Sequence, residues 1–256
     1  MDLQGHRAVV IGAAGAIGAA ICRAYAEAGA SVWAADLDVA GARDAVTALG
    51  PGEHRAQRVD VTDPDEVETL AATVWREGPV DSIVYAAGVV YSRDVADLAW
   101  PEYRRLMSVN LDGAFYTARA FGARLRAAAR GGSVVFLSSM AGKRGEAGAS
   151  AYCASKFGLI GLTQSFAVEV AARGIRVNAI CPGNVDSPML RAVARDIAGL
   201  QGRREEEVYE EFAAVAAARR LVQPSEVAAL AVWLVSPAAS AVTGEAINVD
   251  AGALSG

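Results

Sequence analysis

Residues 8–21 read Ala8-Val-Val-Ile-Gly12-Ala-Ala-Gly15-Ala-Ile-Gly18-Ala-Ala-Ile21, and this stretch decides the fold. Its first four residues are apolar, as is typical of a short buried strand. Three glycines follow, and an alanine-rich helix then extends to about Ala28. Glycines at a strand-to-helix junction allow a tight turn and let the backbone approach a pyrophosphate at the positive end of the helix. The stretch therefore predicts a nucleotide site.

A second apolar strand, residues 31–36, ends in a carboxylate. Asp36 lies eighteen residues after Gly18, where an acidic side chain can bind the ribose hydroxyls of an adenosine. The same negative charge would repel a ribose phosphate, and the next basic residue after Asp36 is Arg43. This pattern favours NAD over NADP as the cofactor.

Apolar strand runs alternate with alanine-rich helical stretches along the whole chain of 256 residues. Such alternation predicts a parallel sheet that is covered by helices on both faces. Seven strands fit the sequence, the last of them at residues 246–250. Because no Pro/Ser-rich linker divides the chain, we predict one domain over residues 1–256. The expected fold is α/β, a single-domain Rossmann-type three-layer αβα sandwich around a seven-stranded parallel sheet.

A serine, a tyrosine and a lysine follow one another in the spacing S-x12-Y-x3-K. Tyr152 and Lys156 are four residues apart at the start of a predicted helix and share one of its faces. A phenol has a pKa of about 10 in water, and a neighbouring ammonium lowers that pKa by favouring the phenolate. Ser139 ends an apolar strand, where its hydroxyl can bond the substrate oxygen that the tyrosine addresses. The three residues predict a proton-transfer site.

Histidine and metal chemistry are disfavoured by position. His6 and His54 each precede a predicted strand, whereas a site in this fold lies beyond the strands' carboxyl ends. Neither histidine has a second metal ligand at a recognisable spacing, so no metal is expected. The three cysteines lie on predicted buried elements without a C-x-x-C pair, which argues against a disulfide framework. Tyr152 is therefore expected to act as the acid/base, and the NAD predicted above would supply hydride transfer.

Charge and hydropathy restrict the partners. The net charge of −5 offers no basic stripe for nucleic acid. The first residues lack the charged and apolar sections of a secretory signal, and no apolar run reaches the ~20 residues that span a bilayer. We expect a cytoplasmic enzyme that acts on a small molecule and binds neither nucleic acid nor membrane.

Together these residues resemble the short-chain dehydrogenase/reductase family, in its compact single-domain branch, from about residue 6 to residue 250. The family's glycine pattern G-x3-G-x-G aligns on Gly12 and Gly18, with Ala16 at the middle glycine and Gly15 one place earlier. A methyl group at Ala16 is a small addition, so we expect a slightly displaced pyrophosphate. The resemblance implies that Lys156 also binds the nicotinamide ribose.

Further positions match the family's motifs. Asp60-Val61 closes a predicted third strand, residues 56–61, where the resemblance implies that the aspartate and the following backbone group hold the adenine. Tyr85-Ala-Ala-Gly88 stands where the family usually has N-A-A-G, a departure that concerns local stability more than chemistry. Asn110 matches the asparagine that holds a water beside the lysine and so implies a proton relay. The segment 182–187 resembles P-G-x-V-x-T, whose valine backbone and threonine hold the nicotinamide carboxamide, with Ser187 as the hydroxyl here. The implied cofactor residues are Gly12, Gly15, Ala16, Ile17, Gly18, Asp36, Asp60, Val61, Ala87, Gly88, Tyr152, Lys156, Pro182, Gly183, Val185 and Ser187. The implied catalytic residues are Asn110, Ser139, Tyr152 and Lys156.

Substrate identity is predicted only as a class. Residues 186–220 fit the family's variable lid, and Asn184 and Met189 are the candidate substrate residues. Weak similarity points to members that act on polyols, sugars and small diols through a secondary alcohol and its ketone. Two alternatives stay open, a 3-oxoacyl thioester reductase of the same family and a non-catalytic NAD-binding redox sensor. The resemblance also implies a homotetramer built on long helices at residues 110–129 and 150–173.

Overall fold

The computed structural model describes residues 1–254, in which seven parallel strands form one sheet. The strands are β1 (Arg7–Ile11), β2 (Ser31–Asp36), β3 (Arg55–Arg58), β4 (Ser82–Tyr85), β5 (Gly132–Leu137), β6 (Ile175–Pro182) and β7 (Ala246–Val249). Their order across the sheet is β3-β2-β1-β4-β5-β6-β7, and each adjacent pair is parallel. The strand order reverses between β1 and β4, which is where a fold of this type opens a crevice for a ligand.

The α-helices of the described residues connect these strands. They are α1 (Ala16–Glu27), α2 (Val39–Thr47), α3 (Pro64–Arg76), α4 (Trp100–Met107), α5 (Gly113–Ala128), α6 (Ser150–Val170), α7 (Pro188–Gln201), α8 (Glu205–Ala214) and α9 (Pro224–Val235). A π-helical turn, Ser108–Asp112, joins α4 to α5, and 3-10 turns lie at Met140–Gly142, Ala171–Arg173 and Pro237–Ala239.

Alternate side chains of each central strand enter two separate cores. On β1, Val9 and Ile11 pack into a cluster that also contains Phe121 of α5 and Leu159 of α6. Val10 of β1 packs on the opposite face in a cluster with residues of α1 and α9. Because strand side chains point alternately to the two faces, an unbroken apolar run is what a strand covered on both sides requires. The predicted three-layer fold with a seven-stranded parallel sheet is confirmed.

Helix starts follow local sequence. The Asp63 side chain accepts hydrogen bonds from the backbone N–H groups of Asp65 and Glu66, at 2.9 and 3.4 Å, and Pro64 occupies the first helical position of α3. Side-chain oxygens of this kind satisfy the free N–H groups at a helix N-terminus. Ser187 caps α7 in the same manner, by accepting from Leu190 N at 3.2 Å.

Two predicted boundaries are wrong. The third strand was expected to run to Val61, but β3 ends at Arg58, and the Asp60 carboxylate then accepts from Thr62 N at 3.0 Å and Thr62 Oγ1 at 2.7 Å in a turn toward α3. An aspartate that bonds backbone two residues later favours a turn over a continued strand. The helix expected to begin at Asn110 begins at Gly113, because Asn110 lies in the π-helical turn.

Candidate active site

The glycine-rich turn after β1 is shaped by backbone contacts. Gly12 has a φ of 89°, and a Cβ built there would lie 2.4 Å from Ala87 N. A Cβ at Gly18 would lie 2.0 Å from the Gly12 carbonyl oxygen, whereas one at Gly15 meets only an ordinary 3.5 Å contact. Helix α1 begins at Ala16, directly after the turn. Gly12 and Gly18 are therefore the positions that require glycine, and Ala16 occupies a regular first helical position.

Asp36 lies at the end of β2 beside this turn. Its Oδ2 accepts a hydrogen bond from Ala14 N at 2.9 Å, and its Oδ1 accepts one from Asp38 N at 3.0 Å. These two bonds fix the carboxylate at the mouth of the crevice between β1 and β4. An acidic group in this position fits the ribose hydroxyls of a dinucleotide.

An elongated cleft of about 380 Å³ runs along the carboxyl ends of β1, β2 and β4. The sequence predicted much of its wall, and the structure adds Leu37, Thr62 and Arg105. The predicted residues that line the cleft are Gly12, Gly15, Asp36, Asp60, Val61, Ala87, Gly88 and Met189. This cleft, with the glycine-rich turn and the Asp36 carboxylate in its wall, fits an adenosine dinucleotide.

Tyr152 and Lys156 lie one turn apart on α6, as the spacing predicted. The Lys156 Nζ lies 5.6 Å from the centroid of the Tyr152 ring and donates to the Leu137 carbonyl, at the end of β5, at 2.8 Å. Ser139 follows that strand, and its Oγ accepts from Ala141 N at 3.1 Å. The predicted Ser139, Tyr152 and Lys156 are thus brought together where β5 meets α6.

Burial controls the acid/base properties of this pair. It raises the pKa of Tyr152 to about 12, with the Ser139 hydroxyl opposing the rise, and it lowers the pKa of Lys156 to about 8. The expectation that Lys156 brings the tyrosine pKa below its usual value is therefore not met by the protein groups alone. Removing both groups from water disfavours the phenolate and the ammonium alike.

Asn110 is fully buried in the π-helical turn, next to this pair. Its Oδ1 accepts from Val89 N at 2.8 Å, and its Nδ2 donates to the Val89 carbonyl at 2.9 Å and to Ser155 Oγ at 3.1 Å. A Cβ on Gly88 would come 3.5 Å from Asn110 Oδ1 and 3.6 Å from Lys156 Nζ. The asparagine therefore fixes the segment after β4 against α6. Such π-helical turns are frequent at functional sites.

The tyrosine that replaces the family's sheet asparagine has its own partner. Tyr85 is fully buried at the end of β4, and its hydroxyl donates to the Val109 carbonyl. A Cβ at Gly113 would lie 2.4 Å from that hydroxyl oxygen, so the absence of a side chain at Gly113 makes room for it. The departure at Tyr85 is compensated locally.

A second cavity, of about 200 Å³, opens beside Ser139 and Tyr152. Its wall contains the predicted Asn184, Met189, Pro182, Gly183, Val185, Ser187 and Ile17. Leu190, Val193 and Ile197 of the predicted lid line it as well, and so do residues that were not predicted, namely Val90, Tyr91 and Ser92 after β4 and Glu146 before α6. No strong sequence motif marks these loops. Residues 90–92 do follow the carboxyl end of a strand, which is where sites in this fold form.

The segment predicted as a lid forms α7 and α8, which pack on each other through Ala194, Ala198 and Val208. Asn184 Nδ2 donates to the Phe212 carbonyl of α8 at 3.0 Å, and Arg93 forms an ion pair with Asp196 of α7 at 3.8 Å. Asn184 thus faces the cavity while its amide donor is engaged with α8.

The segment after β6 passes close to the end of β7. A Cβ on Gly183 would lie 2.9 Å from Asp250 Cα, so glycine lets this turn pass against the end of β7. The Ser187 hydroxyl donates to the Val185 carbonyl at 3.1 Å in addition to capping α7.

Across residues 1–254, no group of three or more histidine, cysteine, aspartate or glutamate side chains is placed to bind a metal ion. In the same residues, no helix combines the length and apolar character needed to cross a membrane. All three cysteines are buried and unpaired by disulfide.

Comparison with known proteins decides the family. A family profile described as "Enoyl-(Acyl carrier protein) reductase" matches residues 12–253. The chain belongs to the short-chain dehydrogenase/reductase family. It is 38% identical to a galactitol 2-dehydrogenase (L-tagatose-forming) of Cereibacter sphaeroides, over 98% of this chain and 95% of that one. It is 36% identical to a D-threitol dehydrogenase of Mycolicibacterium smegmatis, over 98% and 93%.

A solved short-chain dehydrogenase/reductase structure agrees with the fold. A single-substitution variant of the actinorhodin polyketide ketoreductase, solved with NADPH, superposes with a TM-score of 0.92 at 33% identity and covers 99% of both chains. The resemblance found in the sequence is confirmed, and so is the expectation of an oxidoreductase that uses a nicotinamide cofactor.

Proposed function

We propose that this short-chain dehydrogenase/reductase is an NAD-dependent oxidoreductase that interconverts a secondary alcohol and a ketone on a polyol, sugar or small diol. The observation that carries the proposal is that Ser139 and Tyr152 line one cavity with the polar side chains of Asn184 and Ser187, next to the dinucleotide cleft. The names of the galactitol and D-threitol dehydrogenases support the substrate class.

The cofactor would be bound along the cleft between β1 and β4. The glycine-rich turn and the N-terminus of α1 would bind the pyrophosphate, and Asp36 would bind the adenosine ribose. Asp60 and Val61 would contact the adenine, Lys156 the nicotinamide ribose, and the Val185 backbone with Ser187 the carboxamide. When bound, the nicotinamide accepts a hydride from the alcohol carbon or donates one to the ketone carbon.

The protein's own groups would move the proton. Tyr152 removes the hydroxyl proton of the alcohol in oxidation and returns a proton to the carbonyl oxygen in reduction. Ser139 donates a hydrogen bond that orients the same oxygen. Lys156 supplies positive charge beside the tyrosine, and Asn110 fixes the backbone of the segment after β4 against the helix that carries both residues.

The choice of NAD over NADP rests on Asp36. Its carboxylate is fixed by Ala14 N at the site of the adenosine ribose, so a 2′-phosphate would meet a negative charge there. The ketoreductase structure that superposes on this chain was solved with NADPH, so family membership leaves this choice to the residues of each member.

Two alternatives are distinguished by assay. A 3-oxoacyl thioester reductase is supported by the likeness to the polyketide ketoreductase, whereas Asp36 disfavours the NADPH that such reductases mostly use. A non-catalytic redox sensor would have no need of Asn110, Ser139, Tyr152 and Lys156 at one site.

We further propose that residues 186–220 form the substrate lid of a single-domain enzyme and that the enzyme is a homotetramer. The helices expected to form the interface, α5 and α6, carry exposed apolar side chains, with Phe115 54% and Val168 82% exposed. Light scattering that gives a monomer at micromolar concentration would contradict the tetramer. The cytoplasmic location stays a prediction.

The proposed function is tested by measuring NADH formation with galactitol, threitol, 2,3-butanediol, 2-butanol and a 3-hydroxyacyl thioester, in parallel with NADP. Turnover of a polyol or diol with NAD supports the proposal. Turnover of the thioester alone, with NADP preferred, supports the reductase alternative instead.

A further inference from the structure

Glu146 places a carboxylate in the cavity that contains the proton-transfer residues. It lies in the loop between the 3-10 turn at residues 140–142 and α6, and it lines the cavity together with Tyr152, Ser139 and Asn184. The mechanism proposed above makes no use of it. Glu146 precedes the tyrosine by six residues along the chain, and Ala147 and Ala149 of the same loop also line the cavity.

Backbone hydrogen bonds fix the loop that carries Glu146, but one oxygen of its carboxylate has no partner. The Glu146 carbonyl accepts from Ala149 N at 3.2 Å, and the Gly148 carbonyl accepts from Arg93 N at 2.8 Å, so the loop is fastened at both points. Within residues 1–254, the Glu146 Oε1 is buried and has no hydrogen-bond partner. Buried carboxylate oxygens in folded proteins are normally bonded, and the Glu146 side chain lines the cavity, so a hydroxyl group of a bound ligand is a partner that this carboxylate can accept.

The charge of Glu146 bears on both the substrate and Tyr152. Burial raises the pKa of Glu146, and the nearby Arg144 opposes that rise. The negative charge of Glu146 in turn contributes to the raised pKa of Tyr152, which indicates that the two groups are close enough to interact. A carboxylate here repels an anionic substrate, such as a hydroxy acid or a sugar phosphate, and accepts hydrogen bonds from neutral hydroxyl groups.

We propose that Glu146 is a specificity-determining residue that accepts hydrogen bonds from further hydroxyl groups of an uncharged polyhydroxylated substrate, next to the hydroxyl that is oxidised. This inference rests on the proposed function and deepens it. Neighbouring polar groups fit the same substrate, because Tyr91 and Ser92 face the cavity from the loop after β4 and Asn184 faces it from the segment after β6. A polyol presents a hydroxyl on every carbon, so one hydroxyl can bond Tyr152 while another bonds Glu146 in the same cavity.

The test compares two substrates that differ in their additional hydroxyl groups. Wild type, Glu146→Gln, Glu146→Ala and a matched control, Glu53→Gln, are assayed with NAD on threitol and on 2-butanol. Glu53 is an exposed acid that precedes β3, an edge strand of the sheet that contributes no residue to this cavity. We expect the ratio of kcat/KM for threitol to kcat/KM for 2-butanol to fall at least tenfold in Glu146→Ala, mainly through a higher KM for threitol. This ratio should fall by less in Glu146→Gln and should stay at the wild-type value in Glu53→Gln.

A binding measurement provides a readout besides turnover. Calorimetric titration of threitol into the enzyme with NADH should give at least tenfold weaker binding in Glu146→Ala, with the affinity for NADH unchanged. Equal losses on both substrates, or an unchanged ratio, would overturn the inference, because Glu146 would then act through the fold or through Tyr152. Failure of the proposed function is distinguishable from failure of this inference. In that case wild type itself would oxidise 2-butanol or another class of alcohol and would oxidise no polyol.

Discussion

The ammonium of Lys156 lies over the face of the Tyr152 ring, 5.6 Å from its centroid, and is fixed by the Leu137 carbonyl at 2.8 Å. Both side chains are carried by α6, and the carbonyl belongs to the last residue of β5. The carboxyl end of β5 therefore positions the lysine, and α6 positions the tyrosine relative to it. Because burial raises the pKa of Tyr152 and lowers that of Lys156, the protein by itself disfavours the charged form of each relative to water.

The rates of alcohol oxidation and ketone reduction should depend on pH in opposite ways. Alcohol oxidation requires the deprotonated phenol, and burial places the pKa of Tyr152 at about 12 in the protein alone. At saturating NAD, kcat/KM for the alcohol should therefore rise between about pH 7 and pH 10, whereas ketone reduction, which uses the protonated phenol, should not rise. Initial rates in both directions across this range check the prediction. A flat oxidation profile would contradict a tyrosine base.

Replacing the buried lysine should stabilise the fold while removing activity. The pKa of Lys156 is about 8, below its ordinary 10.5, so the charged form is disfavoured in the folded protein. This cost is fully present below pH 8 and disappears as the pH rises from 8 to 10.5. Lys156→Met should therefore unfold at a higher denaturant concentration at pH 7. Its free energy of unfolding should exceed that of wild type by about 2 kcal/mol, after allowing for the lost hydrogen bond to Leu137. The difference should shrink at pH 10, and an equal difference at both pH values would show that the charge is not its origin.

Removing the charge of Asp36 should relax the choice of cofactor. Asp36→Asn keeps an oxygen that can accept from Ala14 N and removes the negative charge that faces the adenosine ribose. We expect the ratio of kcat/KM for NAD to that for NADP to fall at least tenfold, which corresponds to about 1.4 kcal/mol. Asp38→Asn, on the exposed N-cap of α2, is the matched control and should keep the wild-type ratio. An unchanged ratio in Asp36→Asn would place the specificity elsewhere.

The glycine-rich turn should tolerate one methyl group and reject another. A Cβ at Gly18 would overlap the Gly12 carbonyl at 2.0 Å, and we expect Gly18→Ala to lose about 1–3 kcal/mol of stability and at least tenfold in NAD affinity. Gly15→Ala adds a methyl at an ordinary 3.5 Å contact with a φ of −73°, so its stability should change by less than about 0.5 kcal/mol. Urea unfolding and fluorescence titration with NADH measure both. Equal effects of the two substitutions would contradict the close approach of Gly18 to the Gly12 carbonyl.

The parts of the site predicted from sequence are those that local chain geometry determines. The glycine turn, Asp36 at a strand end, and Tyr152 with Lys156 on one helix face each depend on residues that are close in sequence. The boundaries near Asp60 and Asn110 were wrong because a side-chain-to-backbone turn and a π-helical turn override the propensity of the surrounding residues.

The parts that the sequence did not reveal depend on contacts between distant segments. Tyr85 is a destabilising departure by its motif alone, yet its hydroxyl bonds Val109 in the space left by Gly113. Tyr91, Ser92 and Glu146 line the cavity beside Tyr152 because the segments that follow β4 and β5 meet there. No spacing along the chain marks such a meeting.

The central claim is that Tyr152 transfers the proton in an NAD-dependent oxidation of a polyol, and the most direct test is NADH formation from galactitol and threitol by wild type and Tyr152→Phe. We predict turnover by wild type and a loss in kcat of about a thousandfold in the variant, with the dissociation constant for NADH unchanged within about threefold because the cleft between β1 and β4 is intact. Polyol oxidation by Tyr152→Phe at a rate close to that of wild type would contradict the claim.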